Sequence, residues 1–224
     1  MSYEMLIILI TLIITFGAQW YINSMYKRTK KIKADSRMTG CDVARKILDK
    51  NGLKNVKVLE VSGTLTDHYD PRNKTVSLST DIYNTSTVAA VSVAAHECGH
   101  AIQDKNNYFF LRFRNSIVPV VNLSSKLGYI AIMIGLFTSL TSFLWIGIFL
   151  EFVILLFQVV TLPVEFNASS RALKQLEELE IVSKREHRLC YKMLKAAALT
   201  YVAGVATAIL QIFRLLLIAR SDER

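Results

Sequence analysis

The sequence predicts a mainly α-helical, multi-pass membrane protein with a small α+β lobe. Three observations carry this. Hydrophobic residues make up 52% of the 224 positions, and the mean hydropathy is +0.32, more apolar than an ordinary soluble domain. The apolar residues are gathered into runs of membrane-spanning length. Residues 34–115 form the longest polar stretch and carry helix caps and strand-like alternation.

The formal net charge of +9 does not point to nucleic acid. The basic residues form no long stripe but cluster beside apolar segments, as at Lys27, Arg28, Lys30, Lys31 and Lys33. That placement fits membrane topology and anionic lipid. The three cysteines, Cys41, Cys98 and Cys190, are odd in number and form no CxxC pair, which argues against a disulfide framework or a zinc ribbon.

Met5 to Ile22 is an almost unbroken apolar run. At ~1.5 Å per residue it spans roughly 27 Å, close to the hydrocarbon thickness. A cleaved signal peptide would want positive charge ahead of the run and small residues after it. Here Met1-Ser2-Tyr3-Glu4 leads, and Trp20, Tyr21 and Tyr26 stand where interfacial aromatics belong. A retained anchor ending in the cytoplasm is the better reading.

In the polar stretch, Thr39 caps a helix through Lys50, with Asp42 three positions on and Gly52 as the stop. Val56 to Val61 forms a strand, Gly63 to Lys74 is turn-rich, and Thr75-Val76-Ser77-Leu78-Ser79 alternates cleanly as a second strand. A long helix follows from Thr87 to about Asp104. Ile117 to Pro163 is apolar again and suits two membrane helices joined near Thr138 to Ser142. Glu151 and Gln158 fall inside the second and should face protein or a water-filled cleft. A polar helix is expected over roughly Glu165 to Lys195, and Ala196 to Ile218 is a last apolar segment, broken by Gln211 and Arg214. It either spans or packs obliquely; a full span would place Arg220 and Arg224 outside, in mild conflict with the charge rule. The expected organisation is an anchor (1–26), an α+β lobe (27–116), two membrane helices (117–163), a polar helix (164–195) and a C-terminal membrane or membrane-packed helix (196–224).

The lobe's long helix carries His96-Glu97-Cys98-Gly99-His100. Residues four apart lie about 40° apart around a helix, so His96 and His100 share one face. Glu97 sits about 60° from His100, on the rim of that face, while Cys98 points about 200° from His96. This is the HExxH arrangement, in which two histidines hold zinc and the glutamate serves as general base towards a water of lowered pKa. Two histidines and a glutamate in an otherwise apolar helix need compensation for their burial. A third ligand is required; Glu165, His68 and His187 remain open on the residues alone.

HECGHAIQ after an Ala/Val-rich helix, followed by PVEFNASSRAL, resembles the bacterial membrane zinc peptidases of the YugP type. The run from Gly63 through Thr64-Leu65-Thr66-Asp67-His68-Tyr69-Asp70 to Pro71, then Val76 to Ser79, strengthens the resemblance. More distantly the chain is similar to the HtpX and CAAX-prenyl endopeptidases. The resemblance implies His96, His100 and Glu165 on one Zn2+ per chain, with Glu97 as base. The distant relatives carry an aspartate four residues after the glutamate ligand, where this chain has Ser169; Asn167 and Arg171 are other candidates for orienting a ligand. By analogy, Val76, Ser77, Leu78 and Ser79 form an edge strand that receives substrate, and His68 lines the cleft. The implied activity is that of a membrane-bound endopeptidase with its site on the cytoplasmic face. Protein or peptide substrate and a lipid bilayer are the expected partners, and nucleic acid is not; a homo-oligomer or a membrane-protein partner stays open. The rival from another class is a non-catalytic membrane scaffold that keeps the peptidase fold.

Overall fold

The computed structural model describes residues 3–221; Met1, Ser2 and the predicted outer charge Arg224 lie outside the described residues. Seven helices and three strands follow in the order α1 (Tyr3–Lys30), α2 (Gly40–Lys50), β1 (Lys57–Val61), β2 (His68–Asp70), β3 (Thr75–Ser79), α3 (Thr80–Asn84), α4 (Val88–Lys105), α5 (Phe109–Thr138), α6 (Thr141–Glu178) and α7 (Lys184–Ser221). The chain divides into two compact units.

One unit takes in the described parts of Met1–Gln19 and Leu199–Arg224 together with Arg112–Pro163. Its helices belong to α1, α5, α6 and α7, each long and apolar enough to cross a membrane. Much of their apolar surface faces outward, as at Ile13, Phe16, Phe137 and Phe149. Such a surface is costly in water and favourable in lipid. A core of Ile132, Leu144, Ile148, Ile212 and Leu215 joins α5, α6 and α7 within this unit. Gln158 turns its amide towards Gly204 of α7, and Glu151 is half-buried.

The other unit comprises Trp20–Leu111 and Val164–Ala198. Thr39 caps α2 in a full capping box with Asp42, an arrangement that contributes ~1 kcal/mol. Val43, Ala44, Ile47 and Leu48 put one apolar stripe of α2 into the core. There they join Val88, Ala89, Val91, Ala94, Ala95 and Cys98 of α4 and Ala172 and Leu176 of α6. The small residues of α4 let these helices approach closely. Gly52 takes φ +67° just after α2, the left-handed stop its residue type predicts.

The sheet departs from expectation. Its order is β1-β3-β2, with β1 parallel and β2 antiparallel to β3. Thr75–Ser79 is therefore the central strand, not an edge, and all five of its residues are buried. Val76, Ser77, Leu78 and Ser79 cannot accept an added strand through their backbone. The alternation suggested one wet face, but small hydroxyls can be buried where partners satisfy them. Ser79 does this by donating from its N–H and Oγ to the Asp67 carboxylate. The edges are β1 and β2, and β2 lies inside the segment expected to be turn-rich. Three residues, His-Tyr-Asp, show no usable periodicity, and pairing with β3 alone makes them a strand. The turn from β2 into β3 is held by Asp70, which accepts from the N–H groups of Arg72 and Asn73.

Two helix boundaries are also corrected. The chain runs helically through Pro163, so the expected separate polar helix starting near Glu165 is the continuation of α6. Proline removes one helix donor, and it is tolerated inside apolar helices where neighbouring groups satisfy the carbonyl it frees. The expected polar helix then breaks between Glu178 and Lys184, where Glu180 adopts φ +50° and Glu186 accepts from the Ser183 N–H. Its second half opens α7, which continues without interruption through the last apolar segment.

Candidate metal centre

The groups that could hold a metal come from two helices. His96 and His100 lie on successive turns of α4, as their spacing dictates, with ring centroids 4.8 Å apart. Glu165 of α6 meets both: its Oε2 lies 3.2 Å from His96 Nε2 and 3.6 Å from His100 Nε2. Ligand atoms of these three residues all lie within 4.8 Å of one another, and the group is largely buried. It is the one cluster of three or more such side chains among the described residues. His187 lies elsewhere, its Nε2 4.0 Å from Glu177, and His68 is not in the cluster.

The two helices can meet this closely because Gly99 has no side chain. A Cβ there would stand 2.5 Å from the carbonyl oxygen of Ala168, well inside contact distance. The glycine inside HECGH therefore sets the α4–α6 separation that brings Glu165 to the histidines.

The far side of each imidazole is also occupied. Ser169 Oγ lies 3.3 Å from His96 Nδ1, the place where the distant relatives carry an acid. Gln103 Oε1 lies 3.0 Å from His100 Nδ1. Gln103 is fully buried, and its Nε2 donates to the Val164 carbonyl at 2.7 Å and to Asn167 Oδ1 at 3.0 Å. That orientation leaves its oxygen to accept a hydrogen bond from His100 Nδ1–H, so Nε2 presents a lone pair towards Glu165. Arg171 also donates to Asn167 Oδ1, at 2.7 Å. Asn167 and Arg171 thus reach the site through Gln103 and do not touch a histidine themselves. Gln103 has no role in the sequence reading, although its position three residues after His100 on the same helix face is a usable signal.

Gln103→Leu is expected to orphan His100 Nδ1–H and to take from the Val164 carbonyl the hydrogen bond it accepts beside its helical one. At ~1–3 kcal/mol for a buried unpaired group, the melting point of the detergent-solubilised protein should fall by several degrees. Zinc affinity, read by chelator competition, should drop about 10- to 100-fold.

Glu97 lies beside this cluster and is buried. Burial pushes its carboxyl up to about 7, opposed in part by His96 and His68 and reinforced by Glu165 and Asp67. Those influences place Asp67 and His68 on the Glu97 side of the lobe. His68 is exposed at the start of β2, and its Nδ1 meets the Thr66 carbonyl at 2.8 Å, leaving Nε2 unengaged by that contact. Tyr69 ties β2 to α4 by donating to Asp104 at 2.7 Å. Cys98 points away from the cluster as its angle requires; its thiol meets the Ala44 carbonyl, and burial holds it far above the ordinary thiol range.

The donor set fits zinc: two imidazole nitrogens and a carboxylate converge, and each imidazole has a hydrogen-bond partner behind it. Residues 4–220 match the family described as "Putative neutral zinc metallopeptidase". The chain belongs to that family. It is also 40% identical over 205 residues to the "Putative membrane protease YugP" of Bacillus subtilis (strain 168), covering 92% of this chain and 91% of the relative. No solved structure matches the chain. Membership of this zinc metallopeptidase family accounts for a buried carboxylate facing two imidazoles, and the four apolar helices agree with the membrane protease relative.

Proposed function

We propose that the chain is a zinc-dependent endopeptidase that cleaves membrane or membrane-proximal proteins at the cytoplasmic face, with one zinc per chain. The convergence of His96, His100 and Glu165 beside a buried Glu97 carries this reading. His96 Nε2, His100 Nε2 and Glu165 Oε2 would hold the ion. Zinc bound by two histidines and a glutamate supplies Lewis acidity and lowers the pKa of water to ~7 in good cases.

The chain's own groups do the rest. The Glu97 carboxylate takes the proton of the attacking water and passes it to the nitrogen of the departing amine. The same carboxyl serves as base and then as acid within one turnover. His68 Nε2 would stabilise charge building on the scissile carbonyl oxygen. Because β3 is enclosed and β1 and β2 are the sheet's two edges, the substrate backbone is assigned to the outer edge of β2, the one that carries His68. The basic flanks of residues 27–116 and 165–195 support a cytoplasmic site.

Purified protein should contain about one zinc per chain and cleave unfolded β-casein. Chelation by 1,10-phenanthroline should remove the activity, and added zinc should restore it. Stoichiometric zinc without cleavage would favour the non-catalytic scaffold; protein that binds no zinc would sink both the metal assignment and the peptidase reading.

A further inference from the structure

Gln211 and Arg214, the two polar residues that interrupt the last apolar segment, have no part in the peptidase chemistry. Both stand on α7 within the membrane-spanning unit and line a crevice of about 90 Å³ against Ile7, Ile8, Thr11 and Leu12 of α1. Arg214 is half-buried there, and its Nε is enclosed without a hydrogen-bond partner among the described residues. The described acidic residues of this unit, Glu4 and Glu151, make no ion pair with it. A guanidinium cannot shed its charge. Held among apolar walls without a counter-ion it is costly, and intramembrane charges persist where an opposite charge meets them. Simple extension into water does not describe this side chain, because a snorkelling arginine keeps its whole charged head wet.

We propose that Arg214 and Gln211 form, with α1, a binding site for the phosphate of an anionic phospholipid in the leaflet at the N-terminal end of α1. Three observations select that ligand. The crevice is far smaller than the ~300 Å³ at which small-molecule pockets begin, so it admits one small charged group. Ile8 and Leu12 at its rim are 41% and 46% exposed, so the ligand's apolar part has an outward-facing surface to lie on. Arg214 stands seven residues before Ser221, the described end of α7. That is roughly 10 Å along the axis, a depth from which a long side chain reaches the headgroups. Thr11 gives its hydroxyl proton to the Ile7 carbonyl at 2.9 Å, so the donors for the phosphate are the Arg214 fork and the Gln211 amide. One uncompensated positive charge favours a lipid of net negative charge, such as phosphatidylglycerol, over one whose phosphate is already balanced by choline. A lipid held there ties the first span to the last.

The test melts the full-length protein in dodecyl maltoside with added phosphatidylglycerol, phosphatidylcholine or inorganic phosphate, and counts retained lipid by native mass spectrometry. Phosphatidylglycerol should raise the melting temperature of wild type by about 5 °C or more at saturation. Phosphatidylcholine should give less than half that shift, and inorganic phosphate none. Arg214→Leu replaces an unpaired charge with an apolar side chain, so without lipid it should melt no lower than wild type. It should lose most of the phosphatidylglycerol shift and of the retained lipid, and the difference between the two proteins isolates this site from lipid bound elsewhere. Gln211→Leu should reduce retention several-fold and serves if Arg214→Leu does not fold. Equal shifts and equal retention in wild type and the folded variants overturn the site. A shift from inorganic phosphate as large as that from phosphatidylglycerol overturns the lipid in favour of a free anion, and an equal shift from phosphatidylcholine overturns the charge selection. Wild type that retains no lipid but forms a dimer, lost in Arg214→Leu, overturns the site in favour of a second copy of the chain.

Discussion

Glu97→Gln is expected to abolish peptidase activity, by at least ~10²–10⁴-fold in kcat, while zinc stays near one per chain. The amide matches the carboxylate in size but cannot take a proton from water. The metal-facing atoms belong to His96, His100 and Glu165, so retention of the ion should not depend on it. Full activity in this variant would remove Glu97 from the chemistry. The same substitution has a second readout in the metal-free protein. An acid whose folded pKa is raised from 4.5 to about 7 contributes most to stability below its unfolded value. That contribution is lost as pH rises through its folded value. Metal-free Glu97→Gln should therefore gain on wild type between about pH 4.5 and 7, by up to about 3 kcal/mol, and hold that gain at higher pH. Denaturant midpoints at pH 4.5 and 8 measure it, and parallel profiles for the two proteins would refute it.

Gly99→Ala is expected to be the single-methyl change in the lobe that most damages the metal site. The added Cβ would stand 2.5 Å from the Ala168 carbonyl oxygen, and neither atom can turn away because both belong to helix backbones or are fixed to one. The helices must separate. Overpacking of this kind costs about 1–3 kcal/mol. The effect on metal should be larger than on stability, because Glu165 lies three residues before Ala168 on the helix that moves. A loss of zinc affinity of about 100-fold or more is expected, against the 10- to 100-fold typical of losing an outer hydrogen bond. Chelator competition alongside thermal melting separates the two effects. Normal zinc affinity in Gly99→Ala would show that the contact yields without moving Glu165.

The candidate site was partly legible in the residues. His96, Glu97 and His100 are related by helical spacing alone, and an 18-residue helix delivers that geometry whatever surrounds it. The cap of α2, the left-handed Gly52 and the apolar runs are likewise local, set by one residue's backbone or one segment's hydropathy. Glu165 was different. It lies 69 positions from His96, and its residue type fits a helix-dipole role as well as a ligand's, so only the resemblance to a family selected it over His68 and His187.

What the sequence determined by itself, then, is what a short stretch of backbone enforces: three apolar spans and a further apolar segment, an amphipathic α2 and a helix with two histidines on one face. The tertiary structure decided everything that depends on which segments meet. It brought Glu165 to both imidazoles through the contact at Gly99. It placed Gln103, not only Ser169, behind a metal-facing histidine. It carried α6 through Pro163 and made Thr75–Ser79 the centre of its sheet. Strand neighbours and helix separations are set by packing between distant segments, and a three-residue strand such as His68–Asp70 has no periodicity of its own to announce it.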